Sequence, residues 1–429
     1  MNIADMTPAE LQAQKVSLEQ QHQAFVAKGL ALNMARGKPS RAQLDLSMML
    51  LSDIVATDEC FAEDGTDARN YGVLDGLPEA KRLMACFLDD EPENVIVLGN
   101  SSLNAMYDAL ARCWMFGTGG HAPWSTLDQV KWICPSPGYD RHFAITEAFG
   151  IEMVPVAMTQ DGPDMDDVER LVADDASVKG IWCVPQYGNP TGVTYSDETV
   201  ERLAAMACAA PDFRIFWDNA YGVHHLYADP DRQRKVVDIR PACERAGNPN
   251  RPFKFASTSK VTFPGSGLAA FASSAENLAE AKRAMGVQTI GHDKINQLRH
   301  VAFLEDAEGI AAHMQRHADI IRPKFELVAH KLAEALADVP DCSWSTPLGG
   351  YFISFDAPEN TAKRIVALAK EAGVTMTGAG ATYPYGRDPR DSNIRIAPTL
   401  PPLEELDEAM DVFVTCVKLA AVEKALAEA

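Results

Sequence analysis

Polar and apolar residues follow two spacings along this chain, one helical and one extended. Residues 7–27 have the spacing of an amphipathic helix, and the opening Thr-Pro-Ala-Glu supplies its start signals. Thr7 is placed to cap the helix, Pro8 suits the first helical position, and Glu10 completes a capping box. Farther along, short runs rich in β-branched and aromatic side chains stand at 94–98, 130–134, 180–184, 214–218 and 253–257. Each run ends in polar, Gly or Pro residues, and helical spacing fills intervals such as 102–116 and 197–209. Strands alternating with helices predict an α/β fold with a mostly parallel sheet covered on both faces.

From about 293 to 336 the pattern predicts a long helix interrupted near Pro323. A smaller α+β unit follows, with strands at 350–355 and 393–397, a helix at 361–372 and a closing helix from Leu403. The sequence shows no internal repeat, low-complexity tract or flexible linker. Two packed units with a cleft between them are expected for a chain of 429 residues.

Charge narrows the possible partners. Sixty acidic residues against 39 basic ones give a net charge of -21, with no long basic block. Nucleic acid and anionic membrane both need clustered Lys and Arg, so neither is an expected partner. The nine cysteines stand singly without a C-x-x-C pair, which reads as reduced thiols. The amino terminus has no apolar signal core, and no run approaches the ~20 apolar residues of a membrane span. A cytoplasmic location is the expectation.

The residues able to do chemistry gather at the predicted strand ends, where open α/β sheets bind their ligands. Run 94–98 leads through Gly99 and Asn100 to Ser101 and Ser102, hydroxyls at a helix start that suit an anion or an ordinary cap. Run 180–184 leads into Gly188-Asn-Pro-Thr-Gly192, a rigid turn that holds Asn189. Run 214–218 ends on Asp218, a carboxylate that needs a cationic partner, a cap or an ion pair if buried. Run 253–257 ends in Ser257-Thr-Ser-Lys260, and a lysine in a cleft is a candidate nucleophile once burial lowers its pKa.

Gly188-Asn-Pro-Thr-Gly192, Asp218-x-x-Tyr221 and Ser257-x-Ser-Lys260, in that order, resemble the fold type I family of pyridoxal-phosphate aminotransferases. Tyr71-Gly72, Pro137-Gly138-Tyr139, Pro347-x-Gly-Gly350 and Arg395 extend the likeness over roughly 30–415. Asn33-Met-Ala-Arg-Gly-Lys-Pro39 and Pro185-Gln-Tyr-Gly-Asn-Pro190 are closer to a bacterial aspartate aminotransferase subgroup. The resemblance implies pyridoxal 5'-phosphate held on Lys260, which also moves the substrate proton. It implies Asp218 on the pyridine nitrogen, Tyr221 and Asn189 on the ring oxygen and Tyr139 stacked on the ring. Ser101, Ser102, Ser257 and Ser259 would cup the phosphate, joined by Tyr71 from the partner subunit of a homodimer. Arg395 would clamp the substrate α-carboxylate. Arg36 and Gly37 lie in a segment that in this family folds over the cleft, where Arg36, Lys38 or a partner residue would meet a distal carboxylate, unless Arg36 instead pairs with a structural carboxylate. The implied units are 1–50 with 311–429 as the small domain and 51–310 as the large one.

One position departs from the family pattern. Where many members place a phosphate-gripping Arg, this chain has Leu268, after Gly265-Ser-Gly267. Ser266 with backbone amides, or a cation from elsewhere, would have to replace it. The activity implied is amino transfer from aspartate to 2-oxoglutarate, and a β-lyase or an aminotransferase for other amino acids would share the same motifs. An effector-binding regulator is disfavoured, because the first ~30 residues hold at most one helix and no basic face. No metal is expected. His313 and His317 read as a solvated helix face, His224 and His225 as packing near the cleft, and Gly265-Ser-Gly267 as unsuited to a dinucleotide.

Overall fold

Each of the five apolar runs forms a strand, and all five lie in one sheet. The computed structural model describes residues 3–54 and 56–429. In spatial order the sheet runs Val95–Leu98, Ala269–Ala272, Pro252–Ser257, Arg214–Asp218, Val178–Cys183, Lys131–Ser136, Glu152–Thr159 and Gly162–Pro163. From Pro252–Ser257 to Glu152–Thr159 the neighbours are parallel, and Ala269–Ala272 runs against both of its neighbours. Side chains alternate between the faces. Trp132, Trp182, Phe216, Phe255 and Phe271 form a buried aromatic layer on one face. Ile133, Ile181, Ile215 and Trp217 pack beneath helices on the other. Gly180 leaves room for this layer, because a Cβ there would lie 2.4 Å from the Trp132 ring.

Two strands escape the periodicity argument. Glu152–Thr159 is interrupted by Pro155, and Ala269–Ala272 is three alanines and a phenylalanine with no β-branched residue. Both form because their neighbours supply the ladder, so tertiary context overrides propensity.

The second unit is built on the antiparallel sheet Ser343–Trp344, Ile353–Asp356 and Asn393–Ile396. Helices Ala362–Glu371 and Leu403–Glu428 pack over it with the later turns of Ala307–Ala335. The amino terminus joins this unit. Pro8–Lys28, whose Thr7–Glu10 capping box is formed, lies along Leu403–Glu428, and Leu32–Asn33 pairs in parallel with Val374–Thr375.

The long helix breaks at a different place from the expected one. Lys294–Leu304 ends at Glu305, whose φ is 59°, and Asp306 caps Ala307–Ala335 by accepting from the amides of Glu308 and Gly309. Pro323 lies inside that second helix without ending it. Burial of Ile321, Phe325 and Val328 holds the turns together across the missing N–H.

Candidate active site

Five parallel-running strands deliver their following loops to one end of the large sheet. Ser101 and Ser102 follow Val95–Leu98, Tyr139 follows Lys131–Ser136, and Asn189 follows Val178–Cys183. Tyr221 follows Arg214–Asp218, and Lys260 follows Pro252–Ser257. All of them, with Asp218, Ser257 and Ser259, line a cavity of about 120 Å³. The Lys260 Nζ lies 5.0 Å from the centre of the Tyr221 ring. Burial lowers the Lys260 pKa, and the Asp218 charge works in the opposite direction. A depressed pKa leaves more of the amine neutral, and therefore nucleophilic, at a given pH. Burial also keeps the Tyr139 and Tyr221 phenols protonated.

Asp218 is 2% exposed. Its Oδ2 lies 3.1 Å from His142 Nε2, and its Oδ1 is buried with no hydrogen-bond partner among the described residues. His142 is itself fixed, stacked on Trp182 with ring centres 4.4 Å apart and an edge contact to Tyr139. The arrangement aims a carboxylate, oriented from behind, into the cavity with one acceptor left over. Such an atom carries a desolvation cost unless a donor reaches it. A protonated ring nitrogen in the cavity is such a donor, so these residues fit a pyridinium cofactor.

Hydroxyls form the opposite wall. Ser257 Oγ lies 3.0 Å from Ser259 Oγ and 3.4 Å from Ser102 Oγ, and Ser101 caps helix Ser102–Phe116 by accepting from the Leu103 amide. A helix amino terminus with hydroxyls beside it suits a phosphate. Leu268 turns into the apolar core with Val95 and Val97, and Lys260 is the only cation among the cavity-lining residues. Ser266 is exposed and does not line the cavity. Its carbonyl accepts from Asn296 Nδ2 instead, because the 264–266 turn points outward. Tyr71, 82% exposed, lies outside this chain's own cavity as well.

Arg395 comes from the small unit. Strand Asn393–Ile396 sets it opposite Ser354, with its guanidinium 4.9 Å from the centre of the Phe352 ring. Nη1 donates to Asp140 at 2.8 Å and to Asn189 at 3.2 Å, Nη2 to Thr377 at 3.3 Å, and the buried Nε has no partner among the described residues. Gly37 lies against the same Phe352 ring, so closely that a Cβ would come within 2.5 Å. The 36–38 segment therefore packs on the ring against which Arg395 lies. Arg36 is exposed, with no ion-pair partner among the described residues, and Lys38 is exposed beside it.

Sequence reasoning missed His142, Trp182, Asp140, Phe352 and Thr377. A signal was present for one of them: His142 stands one helical turn after Tyr139, on the same face of the helix it opens. The reading of His313 and His317 as a solvated face is overturned. Both are buried, 5% and 1% exposed, and hydrogen-bonded to one another, because that side of Ala307–Ala335 packs beneath the Lys260 loop.

Comparison with solved structures identifies the class. The α-aminoadipate aminotransferase of Thermus thermophilus matches with a TM-score of 0.70 at 19% identity, covering 94% of this chain and 96% of its own, which is a likeness of fold. The architecture is that of a fold type I aminotransferase. An aspartate transaminase of Corynebacterium glutamicum matches with a TM-score of 0.95 at 46% identity over 99% of both chains. A curated aspartate aminotransferase of the same species is 49% identical over 92% of this chain and 91% of its own. Residues 6–429 match the aspartate amino-transferase family. The chain belongs to that family, and it is an aminotransferase.

Proposed function

We propose that this aminotransferase uses pyridoxal 5'-phosphate to move the amino group of an acidic L-amino acid, aspartate, to 2-oxoglutarate. The observation that carries the cofactor assignment is the buried, unpartnered Asp218 Oδ1 in the same cavity as the Lys260 amine. The named relatives from Corynebacterium glutamicum support aspartate as the donor.

When bound, the cofactor supplies an aldehyde that takes up amino groups and a protonated pyridine ring that draws electrons from the substrate α-carbon. Asp218 would hold a proton on that ring nitrogen, and His142 holds Asp218 in line. Tyr221 and Asn189 would hold the ring at its hydroxyl side, and Tyr139 would pack against it, since all three line the cavity. Ser101, Ser102, Ser257 and Ser259 hold the phosphate together with the helix amino terminus, and Tyr71 of a partner copy completes the cup. Lys260 holds the cofactor, takes the proton from the substrate α-carbon and returns it after the amino group has moved. Arg395 receives the α-carboxylate, oriented by Asp140, Asn189 and Thr377.

Arg36, free of carboxylate partners among the described residues and one position before the Gly37–Phe352 contact, receives the distal carboxylate. The working unit is a cytoplasmic homodimer. Each chain divides into 51–310 as the large domain and 1–50 with 311–429 as the small one. No described helix is long and apolar enough to cross a membrane.

Steady-state turnover of aspartate with 2-oxoglutarate tests this reading. Arg36→Ala should raise KM for dicarboxylates far more than for apolar amino acids. An equal rise for both would make Arg36 structural, and absence of aspartate turnover in wild type would remove the substrate assignment.

A further inference from the structure

Against the Lys260 and Val261 carbonyls lies a buried polar cluster that the proposed mechanism does not use. Gln43, His313, His317 and Tyr351 are each buried and come from three separate stretches of chain. All four belong to stretches that flank the large domain, whereas the groups they reach are the backbone carbonyls of Lys260 and Val261. Tyr351 Oη donates to the Lys260 carbonyl at 3.4 Å, and His313 Nε2 lies 2.8 Å from the Val261 carbonyl.

The donors and acceptors in this cluster do not match. Gln43 Oε1 accepts from the Ser40 amide at 3.0 Å and the Ser40 hydroxyl at 3.3 Å, which fixes the orientation of its amide. Gln43 Nε2 then donates to Tyr351 Oη at 2.9 Å and to His317 Nδ1 at 3.1 Å. His317, neutral and accepting at Nδ1, carries its proton on Nε2, which points at His313 Nε2 only 3.1 Å away. That same His313 nitrogen must carry a proton to donate to Val261. A neutral His313 either accepts from His317 or donates to Val261, and it cannot do both. The cluster therefore has two arrangements, and the hold of Gln43 on His317 selects between them. Ser40, which fixes Gln43, lies three residues beyond Gly37, which packs on the Phe352 ring.

We infer that Gln43, His317, His313 and Tyr351 form a positioning device that sets the Lys260 peptide, and so its amine, according to how the 36–40 segment is seated. None of the four is a catalytic residue, since none lines the cavity. The inference rests on the assignment of Lys260 as the cofactor-bearing lysine. The titratable and charged groups around the device are Lys260, Tyr221 and His224 from the large domain and Arg316 from the helix of the histidines. His224 is wedged edge-on against the Tyr221 and Tyr351 rings, neither ring nitrogen has a hydrogen-bond partner among the described residues, and burial keeps it neutral.

Tyr351→Phe and Gln43→Met, each close to isosteric, test the device in the full-length holoenzyme. Two readouts besides activity apply: the midpoint pH of the visible absorbance of the cofactor on Lys260, and amide hydrogen exchange across 258–262. Each variant should move the midpoint by about half a pH unit and speed exchange by about fivefold, the loss of one modest hydrogen bond. The double variant should do no more than the larger single, because both cut one chain of contacts. Unchanged midpoint and exchange, with only a lowered Tm, would overturn the device. Wild-type protein without a Lys260-dependent absorbance would instead overturn the cofactor assignment, and exchange at 258–262 would still decide the clamp.

Discussion

Asp218 shows how far one residue's environment decides its use. One of its oxygens is held by His142 and the other faces the cavity unpartnered, so the pair can stabilise a cation on a bound ring but not a neutral one. Removing His142 leaves the carboxylate buried with neither oxygen held. His142→Ala should lower kcat about 10- to 100-fold with little change in KM for aspartate, the usual cost of a charged buried hydrogen bond. A kcat within twofold of wild type would show that His142 only packs against Trp182. Asp218→Ala should cost much more in the same assay. The serine cup makes a separate demand at this scale. With Leu268 in the core, no arginine is among the described residues that line the cavity beside Ser257 and Ser259. Ser259→Ala should therefore weaken cofactor retention about fivefold, measured by reconstituting apoprotein, and unchanged affinity would place the phosphate elsewhere.

At the scale of elements, the strand ends were legible in the sequence because each joins an apolar run to a loop with its own chemistry. The sequence alone assigns Asp218 and Lys260 to one site, since neighbouring parallel strands must end on the same side. The geometry of the supports was not legible. His142 reaches Asp218 across 76 positions, and Phe352 meets Gly37 from the far end of the chain, contacts that no local pattern encodes. Pro323 misled for a physical reason: its sequence signal marks a helix end, but packing on both sides outweighs one missing hydrogen bond. The break at Glu305 rests on an Asp306 cap, which was readable in principle. The 36–38 segment depends on close approach, so Gly37→Ala should displace it from Phe352. The expected result is a severalfold rise in KM for aspartate with Tm nearly unchanged, and an unaltered KM would detach the segment from substrate binding.

At the scale of the molecule, buried histidines tie stability to pH. Burial holds His300 at about 4 and His317 at about 3, whereas in the unfolded chain both titrate near 6.5. Between pH 6.5 and 4 the unfolded state takes up protons that the folded state refuses. Stability is therefore full above about 6.5 and falls as pH drops, by up to about 1.4 kcal/mol per pH unit for each histidine. Urea denaturation at pH 7 and pH 5 should show that loss, with a shallower dependence in His300→Gln. An identical slope in the variant would mean that other groups govern it. Borohydride reduction of the holoenzyme followed by peptide mapping asks whether the strand-end lysine of this fold carries the chemistry. The expected result is a single peptide bearing the reduced cofactor, modified at Lys260. A label on another lysine, or none after incubation with pyridoxal 5'-phosphate, would contradict it.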